Sequence, residues 1–423
     1  MGSSSLCTKH SEDTVTINLS IEYQPLRDSR YIKYKVLDGV FMDIHEVKVG
    51  TLAPFIFPFD KSLQTAQRVE EIGYDSMWYP DHLMGFIPET IWTPDITPLV
   101  FFQNSPHTFP DPYTLMSAHA VSTSKIFLGM SVTDTIRRHP AVFAQSALTL
   151  DHISKGRVIF GLGAGEIENI EPYGMDFSRP VSRLEENLRL IRLLWSNQVE
   201  KKDFRGKFSS LKDAVLTLEP YELNKYPPLW LGAMGPRMLK LTGELADGWL
   251  PVGLNLPDSV ERYKTGLDVI RESARKAGRN PDSITPALYA MTLVSQSHEE
   301  CHELCGRPLA RAWALATSEE PFAAAHTKHP FSTEEKPFNA LLHYVPTRYS
   351  KECIMEALEK IPEEVVEYCL IHGTADEIIE KIEKFARVGL QHIVFWNLTG
   401  MIEPTKNRES LEILKQVLNY IKG

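Results

Sequence analysis

The chain has 423 residues, 43% of them hydrophobic and 24% charged, with a formal net charge of −10. That length suits one large domain or two ordinary ones, and the composition excludes a largely disordered chain. The acidic balance without a basic run speaks against nucleic acid or membrane as partner, and no apolar run approaches the roughly 20 residues of a membrane span.

In chain order, residues 1–46 show little periodicity. They read as an N-terminal extension with a strand at 14–23, an arm laid over the core or over a neighbouring subunit. The repeating core starts at Val47-Lys-Val-Gly-Thr-Leu-Ala53, an apolar run that suits a buried parallel strand. A helix follows over 60–72, with Leu63, Ala66, Val69 and Ile72 at helical spacing and Asp60 as N-cap. Asp75-Ser-Met-Trp-Tyr-Pro-Asp-His82 is the next strand, ending in an acid-base pair. Residues 83–110 then form a loop far longer than a strand-helix turn needs. Its aromatic residues Phe86, Trp92, Phe101, Phe102 and Phe109 mark it as a lid or pocket wall, with an interface loop as the plainer reading.

Asp111-Pro112 opens a helix to 124, followed by a strand at 126–132 and a helix at 140–153. The strand at 157–162 ends in Gly161-Leu-Gly-Ala-Gly-Glu166, and a helix spans 181–195. Residues 196–227 are irregular, with room for short strands. Strands at 228–232 and 247–252 alternate with helices at 237–246 and 258–278. A seventh strand covers 284–294, and 298–368 is a mostly helical insertion. Cys369-Leu-Ile-His-Gly-Thr-Ala-Asp376 is a lead-in to a helix at 375–388, and an eighth strand at 392–396 and a helix at 407–422 complete the chain. Eight β-then-α units running one way require parallel strands with right-handed crossovers. They close most economically as a single (β/α)8 TIM barrel over 47–423, with insertions at the carboxyl face. An open doubly wound sheet is the alternative.

Several strand ends then converge on one rim. His82 is the natural acid/base near neutral pH, and Glu166 is a second carboxyl for proton transfer, or else an acid placed for a helix dipole. Gly163 and Gly165 allow close backbone approach to a ligand. Gly235-Pro236-Arg237 places a cation at a helix N-terminus, where an anion such as phosphate fits; an ordinary helix start is the plainer reading. Five scattered cysteines, an odd number, and a polar N-terminus suit the reducing cytoplasm. Cys301 and Cys305, like His298 and His302, lie one helical turn apart. A metal site there is the lesser reading; the plainer one is a charged surface helix with half-exposed thiols, far from other ligand clusters, so no metal ligand is assigned.

The ordered series Tyr79-Pro-Asp-His82, Leu128-Gly-Met-Ser-Val132 with Arg138-His-Pro-Ala-Val142, Phe160-Gly-Leu-Gly-Ala-Gly-Glu166, Leu231-Gly-Ala-Met-Gly-Pro236, Ala246-Asp-Gly-Trp249 and Gly389-Leu-Gln-His-Ile-Val-Phe395 resembles the bacterial luciferase-like superfamily. Within it the chain is most similar to the branch that uses the deazaflavin coenzyme F420. The loop after His82 is nearest the phthiodiolone ketoreductase-like group. The resemblance implies a homodimeric oxidoreductase that moves a hydride between the deazaflavin C5 and a carbonyl, alcohol or methylene-pterin carbon of a small-molecule substrate. It implies His82 at the reacting carbon and Glu166 in proton transfer. Asp81, Thr133, Ala164, Gly165 and Asn169 would line the coenzyme, with a non-prolyl cis peptide at Ser131-Val132. Met234, Gly235, Arg237 and Met238 would hold its phosphate end. Leu250-Pro-Val-Gly-Leu254 lacks the lysine of the sugar-phosphate enzymes, which excludes that substrate. Phe86 stands where the sugar-phosphate and alcohol enzymes have tryptophan. An FMN-dependent monooxygenase of the same superfamily and a non-catalytic binding barrel are the alternatives.

Overall fold

The computed structural model describes residues 42–196 and 199–423, so the strand expected at 14–23 lies outside the described residues. The strands are β1 (Lys48–Leu52), β2 (Ser76–Tyr79), β3 (Phe127–Thr133), β4 (Val158–Leu162), β5 (Lys202–Arg205), β6 (Ser210–Ala214), β7 (Leu229–Leu231), β8 (Gly248–Trp249), β9 (Thr285–Val294), β10 (Ile371–Gly373) and β11 (His392–Asn397). The order β9-β11-β1-β2-β3-β4-β7-β8 closes on itself through β8–β9, and every pair in the ring is parallel. This is the expected eight-stranded barrel, with helices packed outside. β5 and β6 form an antiparallel hairpin apart from it.

Three expectations need correction. The stretch before the helix Ala375–Arg387 is not a simple lead-in: β10 pairs with Thr292–Val294, the carboxyl end of β9. β8 pairs only with the start of β9, so the long β9 outruns its neighbour and offers a free edge there. Asp60 is not the N-cap of its helix; Phe59–Ile72 is capped at Pro58, and Asp60 sits in the first turn, where a carboxylate suits the dipole. Cys301 and Cys305 are fully buried rather than half-exposed.

Two tryptophans plug the barrel. Trp78 and Trp230 lie 5.3 Å apart among Ile159, Leu250, Ala287, Tyr289 and Val394. The sequence makes room for them: a Cβ on Gly129 would stand 2.5 Å from the Trp78 ring, so only glycine is tolerated opposite it. Trp78 Nε1 donates to Ser76 Oγ (2.7 Å), which also meets His392 Nε2 (2.8 Å). The indole polar atom is therefore satisfied although buried.

A separate core lies in the insertion. Leu309, Trp313, Phe322, Tyr344, Ile354, Val365 and Val366 pack together there with Ile87, Ile91 and Trp92 of the loop after β2. Burying those three loop side chains contributes roughly 1.5–3 kcal/mol each. Trp92 Nε1 also donates to the Gln103 carbonyl (2.8 Å). The 83–110 loop is thus an ordered wall joined to the insertion, although Phe101 and Phe102 face solvent. No helix among the described residues is long and apolar enough to cross a membrane.

Candidate active site

β2 ends at Tyr79 and delivers Asp81 and His82 to the carboxyl rim. β4 ends at Leu162, and its exit carries Glu166 and the 3-10 turn Ile167–Asn169. Gly165 has φ +96° there, and a Cβ on it would lie 2.6 Å from Ile170 Cδ1, so the turn needs glycine twice over. The two exits meet. His82 Nδ1 stands 3.6 Å from Glu166 Oε2, although 84 positions separate them in the chain (166 minus 82).

Asn169 joins the parts. Its Oδ1 accepts from the Leu83 and Met84 amides (2.7 and 2.9 Å), which fixes the orientation of the side chain. Nδ2 therefore faces His82 Nδ1 (3.0 Å), Glu166 Oε2 (3.2 Å) and Glu168 Oε1 (3.3 Å). His82 Nδ1 also lies 3.3 Å from the Met84 carbonyl, so this nitrogen faces a donor and an acceptor at once. Phe86 and Phe109 flank the imidazole at 4.9 and 5.3 Å between ring centroids.

Glu168 is the residue that sequence reasoning missed. It is buried, and burial first, then the charge of Glu166, push its carboxyl well above the usual carboxylate range. The site thus pairs a neutral carboxylic acid with a second carboxyl and an imidazole, a set able to give or take a proton. A usable signal was present in the run Glu166-Ile-Glu-Asn169: a tight turn of about three residues brings both carboxyls to one amide. The ligand atoms of His82, Glu166 and Glu168 lie within 4.8 Å of one another, the spacing of a possible metal cluster.

Asp81 is held from two sides. Its Oδ2 accepts from Thr133 Oγ1 (2.6 Å), and Oδ1 pairs with Arg137 Nη1 (3.2 Å). Arg137 also donates to the Asp81 carbonyl (2.7 Å) and pairs with Asp134. Arg137 too was missed, being hidden beside the motif residue Arg138. A half-buried cation between two carboxylates keeps the rim rigid at this point.

The peptide between Ser131 and Val132 is cis, as the resemblance implied. Val132 sits against the positions of Gly161, Gly163 and Gly232, so the exits of β3, β4 and β7 form a continuous floor. Ser131 Oγ and, on β9, Tyr289 OH are a buried polar pair close to one another, with no other hydrogen-bond partner. Ala164 and Gly165 lie half-buried beside this floor. Beyond it, Gly235 caps the helix Pro236–Leu245, whose first-turn amides at Arg237 and Met238 have no acceptor within the helix. Met234, Gly235 and Arg237 are exposed there. The Met238 side chain instead packs in the main core, so only its backbone belongs to the rim. Arg237 donates to Ser182 Oγ (3.1 Å) and Glu185 Oε2 (2.9 Å), an exposed pair that contributes little and exchanges readily.

A closed parallel barrel with an acid-base cluster at its carboxyl rim defines a (β/α)8 enzyme. The luciferase-like monooxygenase family model matches residues 39–392, and the chain belongs to that family, as an oxidoreductase. It is 32% identical over 345 residues to phthiodiolone/phenolphthiodiolone dimycocerosates ketoreductase of Mycobacterium tuberculosis, covering 81% of this chain and 88% of the relative. It is 25% identical over 353 residues to 5,10-methylenetetrahydromethanopterin reductase of Archaeoglobus fulgidus, covering 84% and 93%. Among solved structures, an F420-dependent secondary alcohol dehydrogenase in complex with an F420-acetone adduct superimposes with a TM-score of 0.67 at 23% identity, covering 89% of this chain and 99% of that one.

Proposed function

We propose that the protein is a coenzyme F420-dependent oxidoreductase acting on a carbonyl, alcohol or methylene-pterin carbon of a bulky, partly apolar substrate. The observation that carries this reading is the meeting of His82, Glu166, Glu168 and Asn169 on one rim of the barrel. When bound, coenzyme F420 supplies hydride chemistry at the C5 carbon of its ring.

The residues present suit such a group. Ser131 Oγ and Tyr289 OH lie close to one another as a buried polar pair with no further partner, a pair that a heterocycle's carbonyl or N–H can engage. Val132 packs into the room that Gly161, Gly163 and Gly232 leave, and Asp81, Thr133, Ala164, Gly165 and Asn169 are the residues that would surround a flat ring above it. The N-terminus of the helix Pro236–Leu245 suits a phosphate.

The chain's own contribution is orientation, proton handling and exclusion of water. Reducing a carbonyl requires a proton at its oxygen; oxidising an alcohol requires one removed. Glu168 holds a proton at neutral pH, while His82 and Glu166 can accept one, and Asn169 keeps the three in register. From His82 an aromatic wall runs through Phe86 and Trp313 to Trp396, with successive centroids 4.9, 5.5 and 5.0 Å apart. That wall favours an apolar substrate on this side and keeps water out.

The test is to titrate the purified full chain separately with F420 and with FMN while following absorbance. Uptake of F420 alone is expected. His82→Ala and Glu166→Gln should still take it up and lose at least about 10²-fold in turnover, the usual worth of an acid-base group. Uptake of FMN instead, or of neither, overturns the reading.

A further inference from the structure

The insertion between β9 and β10 begins and ends at the same place. Its first helix, His298–Cys305, carries His302; its last helix, Glu363–Cys369, carries Glu367, and β10 follows with His372. The helical turn that places His302 below His298 was legible in the chain. That Glu367 and His372 return to it across the insertion was not. We propose that His302, Glu367 and His372 form a binding site for a divalent transition-metal ion of the zinc type, which clips the two ends of the insertion together.

The ligand set and the spacing carry this. Two imidazoles and one carboxylate are a common protein set for zinc, with water in the fourth position. The three ligand atoms already lie within 4.8 Å of one another. Around a tetrahedral ion with bonds of about 2.1 Å the ligand atoms stand roughly 3.4 Å apart. Closing the widest gap therefore takes little more than about 1 Å of side-chain movement. His302 Nδ1 and Glu367 Oε1 are in direct hydrogen-bonded contact. An ion entering between them replaces this hydrogen bond, binding a proton-free nitrogen of His302 on one side and the Glu367 carboxylate on the other.

The surroundings are built as a metal site's are. His372 Nδ1 meets the Leu370 carbonyl at 3.2 Å, a backbone acceptor of the kind that orients a ligating imidazole. Asn255 Nδ2 donates to the Glu367 carbonyl (3.0 Å) and approaches His372 Nδ1 (3.3 Å). Lys381, the nearby cation, is turned to Asn255 Oδ1 (2.7 Å) and the His372 carbonyl (3.3 Å). His298 stacks edge-on against His302 at 4.4 Å but is paired with Glu377 (2.9 Å), so it flanks the site and does not complete it. Cys301 and Cys305 are buried in the insertion's own core and take no part.

The consequence is structural. His302 and Glu367 are 65 positions apart, and an ion bound only by the folded chain favours the closed loop. That loop carries Trp313, which packs on Phe86 beside His82.

The experiment uses the full chain without a purification tag, titrated with Co2+ and with Zn2+ by spectroscopy and calorimetry. One equivalent is expected, with Co2+ bands of a tetrahedral nitrogen-oxygen site and no thiolate charge-transfer band. Zn2+ should raise the unfolding midpoint by several degrees. His302→Gln and His372→Ala should each weaken binding at least tenfold and abolish that rise, while Cys301→Ser and His298→Ala leave both unchanged. The His302 side chain is 40% exposed, so His302→Gln should fold as the parent does. Absence of stoichiometric binding overturns the proposal. So does binding that survives His302→Gln and is lost in Glu168→Gln, which would place the ion in the barrel mouth.

Discussion

Replacing Asn169 tests the site most directly, because one amide holds both the loop and the acid-base groups. Asn169→Ala removes the acceptor for the Leu83 and Met84 amides and the donor for His82, Glu166 and Glu168. Leu83 is 47% exposed and can recover water, but Met84 is buried, and an unpaired buried N–H costs about 1–3 kcal/mol. A donor lost to charged or neutral carboxyls adds roughly 1–2 kcal/mol, reduced because Glu166 is partly exposed. The sum is about 2–5 kcal/mol, held mostly in the start of the 83–110 loop. Hydrogen exchange followed by mass spectrometry should show peptides spanning 83–86 exchanging about 30- to 4000-fold faster, since about 1.4 kcal/mol is tenfold. Asn169→Asp retains the acceptor and should keep that protection, while losing turnover because it sets a further carboxylate against Glu166. If Asn169→Ala is protected as the parent is, the amide does not hold the loop and the reasoning fails.

Glu168 makes a claim about pH. Its folded-state pKa is raised above the ordinary 4.5, so over that interval the folded chain keeps a proton that the unfolded chain has lost. Stability from this group therefore falls as pH rises, by at most about 1.4 kcal/mol per pH unit. Glu168→Gln should gain on the parent between about pH 6 and pH 8 in denaturant unfolding; parallel curves would count against a protonated Glu168. Gly165→Ala forces a Cβ onto φ +96° and into Ile170. It should cost about 1–3 kcal/mol in thermal unfolding and weaken F420 uptake. An unchanged midpoint with unchanged uptake would show the turn to be tolerant.

The local rules were readable in the chain because they are short-range. Apolar runs such as Val47–Ala53, the Asp111-Pro112 helix start and the alternation of strand and helix reflect periodicity and steric limits over a few residues. Eight such units leave little choice but a closed barrel. His82 and Glu166 were legible because the carboxyl ends of parallel strands share one rim, and that follows from direction alone. What had to await the fold was lateral placement. A side chain's neighbours across strands depend on register, twist and the return path of an insertion, none of which leaves a mark within a few positions of the residue. Glu168 was not singled out in the chain, and gains its place only when the turn after β4 buries it beside Glu166. β10 reads as a lead-in until the free edge of β9 pairs with it. His302 reads as surface until an insertion with its own core brings Glu367 and His372 back to it. The sequence by itself determined which elements form and which rim carries the chemistry, because those are matters of local sterics and chain direction. Only the tertiary structure decided which charges share a desolvated space, because burial is a property of the whole packing.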